Sequence, residues 1–202
     1  MELIADNLAC ERGGRLVFEA VSFTLPAGAL MQLSGPNGAG KSSLLRLVAG
    51  LGEAAAGAIT LEGGHDELTT GQQAHYIAHQ EAVKPALTVV ENLAFWSDVL
   101  GGGDLAQALA AFDLERLADY SAGLLSEGQR RRLALSRLAL IPRALWLLDE
   151  PTVGLDAASL ARLGALIAAH LAQGGLAIAA THAPLPVAAG LQLDLGQRKA
   201  AA

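Results

Sequence analysis

The stretch Gly35-Pro36-Asn37-Gly38-Ala39-Gly40-Lys41-Ser42 decides the fold of this chain. It fits the pattern G-x-x-x-x-G-K-[ST], directly after the apolar run 30–34 and directly before a helical pattern. Its glycines let the backbone curl so that successive N–H groups point at phosphate oxygens, and the helix start adds its positive dipole end. The pattern predicts a phosphate-binding loop in which Lys41 reaches the β- and γ-phosphates of a nucleotide and the Ser42 hydroxyl ligates Mg²⁺.

This predicted nucleotide-binding segment extends by one residue, to Ser43. A glycine-rich turn with a chance lysine is the alternative interpretation. The complete pattern in a strand–loop–helix context argues against it, because that is the context the motif requires.

Composition limits the class of protein. Hydrophobic residues make up 52% of the 202 residues and charged residues 17%, which excludes a disordered chain. Every apolar run is interrupted before the roughly 20 residues that a membrane-spanning helix needs, and the longest, 133–148, is broken by Arg137 and Arg143. The chain starts Met-Glu, with no basic and apolar leader pattern. We therefore expect a soluble, cytoplasmic protein without direct membrane insertion, whose membrane link comes through a partner.

Charge and cysteine content add two exclusions. The net charge is −6 and the one dense basic cluster is 130–132, which argues against nucleic-acid binding. The single cysteine, Cys10, cannot form an internal disulfide, which agrees with a reducing compartment. We expect Cys10 to be buried filler in an apolar strand.

Apolar segments alternate with helical patterns along the chain. The sequence predicts helices at 41–50 and 157–171, a largely helical middle from 88 to 140, and strands at 3–9, 16–25, 30–34, 58–61, 144–148, 176–180 and 191–195. Continuous apolar strands interleaved with helices predict an α/β domain with a mainly parallel, buried sheet. We expect one domain over 1–202, with the helical middle as an insertion.

A second chemical site follows from Leu145-Trp146-Leu147-Leu148-Asp149-Glu150. Two adjacent carboxylates at the end of a buried strand are costly unless something cationic compensates them. Asp149 is predicted to hold Mg²⁺, directly or through water, and Glu150 to polarise the attacking water. The alternative is that both carboxylates cap the turn at Pro151, and the phosphate-binding loop makes this alternative weaker.

A third motif narrows the family. The segment Leu125-Ser126-Glu127-Gly128-Gln129, before an arginine-rich helix, resembles the LSGGQ signature of ABC ATPases, the ATP-binding-cassette branch of the P-loop NTPases. Four other segments agree in order and spacing: Gln80 resembles the Q-loop glutamine, 87–93 the stretch after it, 154–156 the D-loop, and Thr181-His182 the switch histidine. The resemblance covers about residues 3–195. It implies a parallel core sheet, an antiparallel β subdomain and an inserted α-helical subdomain.

The resemblance also implies roles by position. Two copies of the chain would pair head to tail, so that Ser126, Gly128 and Gln129 of one copy meet the ATP held by the other. A helix that starts at this segment would point its dipole at that phosphate. Asp156 is counted with the nucleotide-contacting residues. The implied catalytic group is Glu150, His182 and Gln80, with Gln80 joining Ser42 and Asp149 at Mg²⁺; His182 alone would be more typical of a structural histidine.

The sequence departs from the family pattern at two places. Glu127 replaces the middle glycine of the signature, a position that tolerates variation, so we expect activity to survive. Relatives usually place an aromatic ring against adenine at the position of Arg12. A guanidinium plane can stack on a base, so we hypothesise that Arg12 does so. The equal alternative is a solvated turn arginine, with Phe18 or nothing on the base.

Local strings resemble the CcmA-type subfamily, the ATP-binding subunits of haem export in cytochrome c biogenesis. They are 8–12, 35–46, 128–138 and 181–185, together with the short length. This resemblance implies that ATP hydrolysis powers haem export, or the release of a haem-loaded chaperone, at the cytoplasmic face of the bacterial inner membrane. It also implies integral membrane permease partners, CcmB-like in kind. No residue of the chain resembles a haem ligand site.

Three alternatives stay open at this point. The chain could be the ATPase subunit of an ABC transporter for another substrate, since specificity would reside in other chains. It could be a soluble ABC protein of translation or DNA repair, although such proteins usually carry tandem cassettes or long coiled-coil insertions. A P-loop kinase would not explain the signature-like segment at 125–129.

Overall fold

A computed structural model describes residues 1–196. The predicted domain runs to residue 202, and positions 197–202 lie outside the described residues. The strands are β1 (Glu2–Arg12), β2 (Arg15–Pro26), β3 (Leu30–Ser34), β4 (Ala56–Glu62), β5 (Ala74–Ile77), β6 (Leu145–Asp149), β7 (Leu176–Ala180) and β8 (Leu191–Asp194). The helices are α1 (Lys41–Val48), α2 (Val89–Leu100), α3 (Leu105–Ala111), α4 (Glu127–Ser136) and α5 (Ala157–Ala172).

A five-stranded parallel sheet of order β5-β6-β7-β3-β8 forms the centre of the fold. All five residues of β6 and all five of β7 are buried. This is the burial expected of parallel strands covered on both faces, and it explains why they read as continuous apolar runs. The predicted parallel, buried sheet is confirmed.

Strand β5 was not among the predicted strands. Its four residues, Ala-His-Tyr-Ile, are too few and too polar to form an apolar run, yet they pair in parallel with β6. His75 is 3% exposed, and its Nε2 donates a hydrogen bond to the carbonyl of Ile141 at 2.8 Å. Burial lowers the pKa of His75 to about 4, so the ring is neutral near pH 7 and fits within the sheet.

A second sheet is antiparallel, of order β2-β1-β4. Leu3, Leu8 and Leu25 of this sheet are fully buried, and they belong to the same apolar cluster as Leu44 and Leu45 of α1. Cys10 is a free, buried cysteine in that cluster, as predicted. The two sheets therefore enclose α1, the helix that follows the glycine-rich loop.

The middle of the chain is helical, as predicted. It holds α2, α3 and α4 with short 3-10 turns between them, and its apolar residues pack with Trp146 and Leu148 of β6. Two helices start with a reciprocal cap: Thr88 and Glu91 at α2, and Ser126 and Gln129 at α4. Over residues 1–196, no helix has both the length and the apolar character needed to cross a membrane.

Candidate functional site

A cavity of about 740 Å³ opens at the carboxyl ends of β3 and β6. We call it the phosphate-loop cavity; its lining residues are Val17, Asn37, Gly38, Gly40, Lys41, Ser42, Ser43, His79, Asp149, Glu150, Val153 and His182. Carboxyl ends of parallel strands meet at one edge of a sheet, where open α/β folds bind ligands. The fold thus gathers the glycine-rich loop, the two carboxylates and His182 from segments far apart in sequence.

The loop between β3 and α1 depends on glycine. Gly35, Gly38 and Gly40 have φ of 131°, 78° and 101°, backbone angles that residues with a side chain rarely adopt. A Cβ at Gly40 would also lie 2.7 Å from Cγ1 of Val17 and 2.8 Å from Cδ1 of Phe18. The loop is held close against β2, and this contact fixes where α1 and its first N–H groups begin.

Lys41 is the cation of the site. It is 8% exposed, and its ammonium donates to the carbonyls of Gly35 at 2.7 Å and Pro36 at 3.3 Å. Its Nζ lies 2.9 Å from Nε2 of His182. Because an ammonium has only donors, Nε2 of His182 is the acceptor in this contact. The cation and the histidine predicted to meet one phosphate therefore already touch each other.

The two carboxylates differ in their surroundings. Asp149 ends β6 and is 4% exposed, whereas Glu150 is half-buried and has a φ of 48°. A positive φ is uncommon outside glycine and is often found at functional positions. The N–H of Glu150 donates to the carbonyl of Ala180 at 2.8 Å, which ties this strained residue to the end of β7.

Gln80 lies outside the phosphate-loop cavity. It lines an adjoining cavity of about 520 Å³ together with His79, Glu81, Glu127, Arg130, Arg131 and Val153. His79 and Val153 line both cavities and so separate Gln80 from the phosphate loop. Of the three predicted Mg²⁺ ligands, Ser42 and Asp149 line the same cavity, and Gln80 lines the adjoining one.

The signature segment lies outside the chain's own phosphate-loop cavity. Ser126, Gly128 and Gln129 form the start of α4, where Ser126 is exposed, and none of them lines the phosphate-loop cavity. A Cβ at Gly128 would lie 2.9 Å from the carbonyl of Gly154, so only glycine fits this close approach. The start of α4 is thus packed on the turn that follows the two carboxylates.

Two other predicted contacts also lie apart from the cavity. Arg12 is the last residue of β1, exposed and paired with Arg15 across the turn. Asp156 caps α5: its carboxylate accepts from the N–H of Ser159 at 2.8 Å. Hydrogen bonds from Ser159 hold the pKa of this exposed carboxyl below its ordinary value.

Sequence reasoning missed three residues of the cavity wall. Val17 lines it from β2, His79 from just beyond β5, and Val153 from the turn after Glu150. A signal existed for Val17, because it lies in the alternating strand next to Phe18. For His79 and Val153 no local pattern marks the position, since each reaches the cavity only through the tertiary fold.

Comparison with known proteins assigns the family. The family model described as "ABC transporter" matches residues 18–153, which include the glycine-rich loop, the signature segment and both carboxylates. The chain belongs to the ABC transporter family. It is an ABC-type ATPase, and membership of this family implies that it binds ATP.

Curated relatives of this ABC ATPase share one name. The chain is 52% identical over 191 residues to the cytochrome c biogenesis ATP-binding export protein CcmA of Nitrobacter winogradskyi, covering 94% of this chain and 96% of that protein. It is 50% identical over 199 residues to the protein of that name from Mesorhizobium japonicum, covering 97% and 98%.

Solved structures agree on the fold. An ABC transporter ATP-binding protein from Pyrococcus furiosus superposes with a TM-score of 0.83 at 21% identity, over 99% of this chain and all of that one. The ATP-binding subunit of another ABC transporter gives a TM-score of 0.79 at 26% identity, over 90% of this chain and 80% of that one. The predicted ABC-ATPase fold is confirmed.

The close packing at Gly40 predicts that a side chain there would impair ATP binding by the loop. We expect Gly40→Ala to weaken ATP binding by about tenfold or more, because strain at such positions costs about 1–3 kcal/mol and each 1.4 kcal/mol is tenfold. The measurement is titration with a fluorescent ATP analogue. Gly101→Ala is the matched control: its φ is 87°, but no atom lies within 4 Å of the added Cβ. Equal affinities of the two variants would contradict the explanation.

Proposed function

We propose that this ABC ATPase is the ATP-hydrolysing subunit of a membrane export complex that acts in cytochrome c biogenesis. Its hydrolysis would power haem export, or the release of a haem-loaded chaperone, as in CcmA-type systems. The observation that carries the proposal is the 52% identity to a curated CcmA over nearly the whole length of both proteins. An ABC ATPase for another substrate is the alternative, because the cargo would be selected by other chains and residues 1–196 hold no group of His, Cys, Asp or Glu side chains placed to bind a metal ion.

The chain's own residues support the ATP reaction. Lys41 would bind the β- and γ-phosphates in place of the carbonyls and of His182, which its ammonium contacts at present. The first N–H groups of α1 have no hydrogen-bond partner within the helix, as at the start of any helix, so they can donate to phosphate oxygens. His182, released from Lys41, would then face the γ-phosphate.

The donor set at the cavity fits Mg²⁺. A serine hydroxyl and a buried carboxylate, Ser42 and Asp149, line the same cavity, and oxygen donors are what this ion prefers. When bound, Mg²⁺ neutralises charge on the β- and γ-phosphates. Gln80 would reach this site only by moving from the adjoining cavity, and we propose that it does so when nucleotide binds.

Glu150 is proposed as the general base. Its carboxylate lines the cavity beside Asp149, and it would accept a proton from the water that attacks the γ-phosphorus. The bond from that phosphorus to the bridging oxygen breaks, which gives ADP and inorganic phosphate. His182 would orient the water and the γ-phosphate from the opposite side.

A second copy of the chain would complete each site. Ser126 is exposed at the start of α4, and neither it nor Gly128 lines the chain's own phosphate-loop cavity. We propose that they bind the ATP held by the partner copy, together with Gln129, and that Asp156 meets the partner at the same interface. Contacts present only in the closed pair shift the population toward closure, and moving it from 1:99 to 99:1 takes about 5.5 kcal/mol.

Its place in the cell follows from the same proposal. We place the protein at the cytoplasmic face of the bacterial inner membrane, as a peripheral subunit bound to integral membrane permease chains of the CcmB kind. The helical segment around Gln80 and α2 would carry the closing motion to those chains. The domain boundaries proposed are 1–202, with the helical subdomain at about 88–140.

The partner proposal is tested by affinity purification of the full chain from detergent-solubilised membranes of its source. We expect integral membrane proteins to copurify and expect mass spectrometry to identify them as permease subunits of cytochrome c biogenesis. A Glu127→Trp variant, which adds bulk at an exposed position of the start of α4, shows whether recovery of the partners needs the closed pair. Recovery of permeases for an unrelated substrate would favour the alternative transporter, and recovery of ribosomal or repair proteins would refute both.

The base is tested by Glu150→Gln, which keeps the shape of the side chain but cannot accept the proton. We expect phosphate release to fall by at least about 100-fold, since general-base catalysis contributes about 10²–10⁴. ATP should then hold the variant as a dimer in size-exclusion chromatography. The exposed Glu53→Gln is the control and is expected to behave as the unaltered protein. Near-normal turnover of Glu150→Gln would exclude Glu150 as the base.

We further propose that Arg12 stacks on adenine from the end of β1. Arg12→Ala is expected to raise the Michaelis constant for ATP about fivefold with little change in kcat, since a stacked cation is worth about 1 kcal/mol. Its neighbour across the turn, Arg15, provides the matched control as Arg15→Ala. An unchanged Michaelis constant would refute the stacking of Arg12 and favour the alternative of a solvated turn arginine.

A further inference from the structure

Arg131 lies on α4, five residues beyond Ser126, the residue that caps the start of this helix. Its side chain is 3% exposed. One terminal nitrogen, Nη1, donates to the carbonyl of Ala78 at 3.0 Å; the other, Nη2, donates to those of Asp149 at 3.0 Å and Glu150 at 2.6 Å. One guanidinium thus joins three segments: the signature helix, the end of β6, and the chain just beyond β5 that leads to Gln80.

The peptide of Glu150 is held on both sides. Its N–H donates to the carbonyl of Ala180, and its carbonyl accepts from Arg131. Between these two bonds the residue keeps a left-handed φ of 48° that its own side chain disfavours. The Glu150 carbonyl also accepts from the N–H of Val153 at 3.4 Å, so the bond from Arg131, at 2.6 Å, is the shorter of the two. Since the backbone sets where the side chain starts, this bond contributes to the placement of the Glu150 carboxylate in the phosphate-loop cavity.

The chemistry of the contact requires arginine. A planar guanidinium can serve carbonyls on two sides at fixed angles, whereas an ammonium is a compact point charge on a flexible stem. Burial lowers the pKa of Arg131 from its ordinary value. Three nearby carboxylates raise it in turn: Glu81, Asp149 and Glu150. An arginine side chain keeps its charge in proteins, so this guanidinium offsets part of the negative charge at the end of β6.

We propose that Arg131 is a positioning residue for ATP hydrolysis, which holds Glu150 in its left-handed conformation and so couples the signature helix to the general base of the same chain. The proposal rests on the role of Glu150 in the proposed function. Its consequence is a link between the two ATP sites of a pair. The start of α4 faces the ATP of the partner, and five residues later the same helix sets the base for the chain's own ATP.

A matched control exists in the continuation of this helix. Arg137 is also buried, at 6% exposed, and its Nη2 donates to the carbonyl of Tyr76 in β5 at 2.7 Å. Its guanidinium lies 4.0 Å from the ring centre of Trp96. Arg137 therefore ties the same helical segment to the same strand, but none of its hydrogen bonds reaches Asp149 or Glu150.

The test compares Arg131→Lys with Arg137→Lys in the full-length protein. For Arg131→Lys we expect kcat to fall about 10- to 100-fold, as for a small misplacement of a catalytic group, with the ATP dissociation constant within about threefold of normal. For Arg137→Lys we expect any loss of thermal stability to be similar and kcat to stay within about threefold. Equal loss of kcat in both variants would overturn the proposal, because it would show a structural effect only.

A double variant supplies the decisive readout. If Arg131 acts through Glu150, then adding Arg131→Lys to Glu150→Gln lowers the residual rate by less than about threefold, since the positioned group is already gone. Losses that multiply would overturn the proposal. Near-normal turnover of Glu150→Gln alone would instead refute the base itself, so the two failures are told apart.

Arg131→Gln, which keeps an amide donor, is carried in parallel in case the lysine variant does not fold. A near-normal dissociation constant for ATP shows that the variant used in the comparison is folded. If neither variant binds ATP, the proposal is overturned, because Arg131 would then determine the fold rather than the placement of Glu150.

Discussion

The ammonium of Lys41 binds parts of the chain that the sequence keeps far apart. It donates to the carbonyls of Gly35 and Pro36 within its own loop, and it contacts Nε2 of His182 beyond β7. A cation at this edge of the sheet is also what makes two adjacent carboxylates tolerable at the end of a buried strand. Lys41 places a positive charge in the cavity that the loop, the carboxylates and the histidine line together.

The parallel sheet is the frame for this arrangement. Because β3, β6 and β7 run in the same direction as neighbours or near neighbours, their carboxyl ends deliver Lys41, Glu150 and His182 to one edge. The second sheet supports the site by packing: Val17 and Phe18 of β2 lie directly against the loop at Gly40. The position of the phosphate loop is thus fixed both by the strand before it and by the sheet beside it.

The altered signature segment has a simple steric explanation. Glu127 is exposed at the start of α4 and lines the adjoining cavity, so a side chain there has room. Gly128 has no such room, because a Cβ would meet the carbonyl of Gly154 at 2.9 Å. The first of these positions accepts a substitution that the second would not. The same packing brings α4 close enough to the end of β6 for the guanidinium of Arg131 to reach the carbonyl of Glu150.

Sequence by itself determined the α/β class, the glycine-rich loop, and the apolar strand that leads to Asp149 and Glu150. These features are local: each depends on residue types within one turn, one run or one periodic pattern. Strand β5 could not be predicted, because a buried neutral His75 is acceptable only once β6 lies beside it and Ile141 accepts its N–H.

Only the tertiary structure decided the relations between these local features. It placed Gln80 in a neighbouring cavity, put Val17 in the wall of the phosphate-loop cavity, and left the start of α4 facing outward. It also showed that the middle arginine of a basic triplet, Arg131, is buried against the end of β6, where it bonds the carbonyl of Glu150. The physical reason is common to all four: hydrogen bonds and close contacts between distant segments leave no periodic trace in the sequence. The glycine-rich loop predicts a nucleotide site from its sequence pattern alone. Which residues surround that loop depends on the fold.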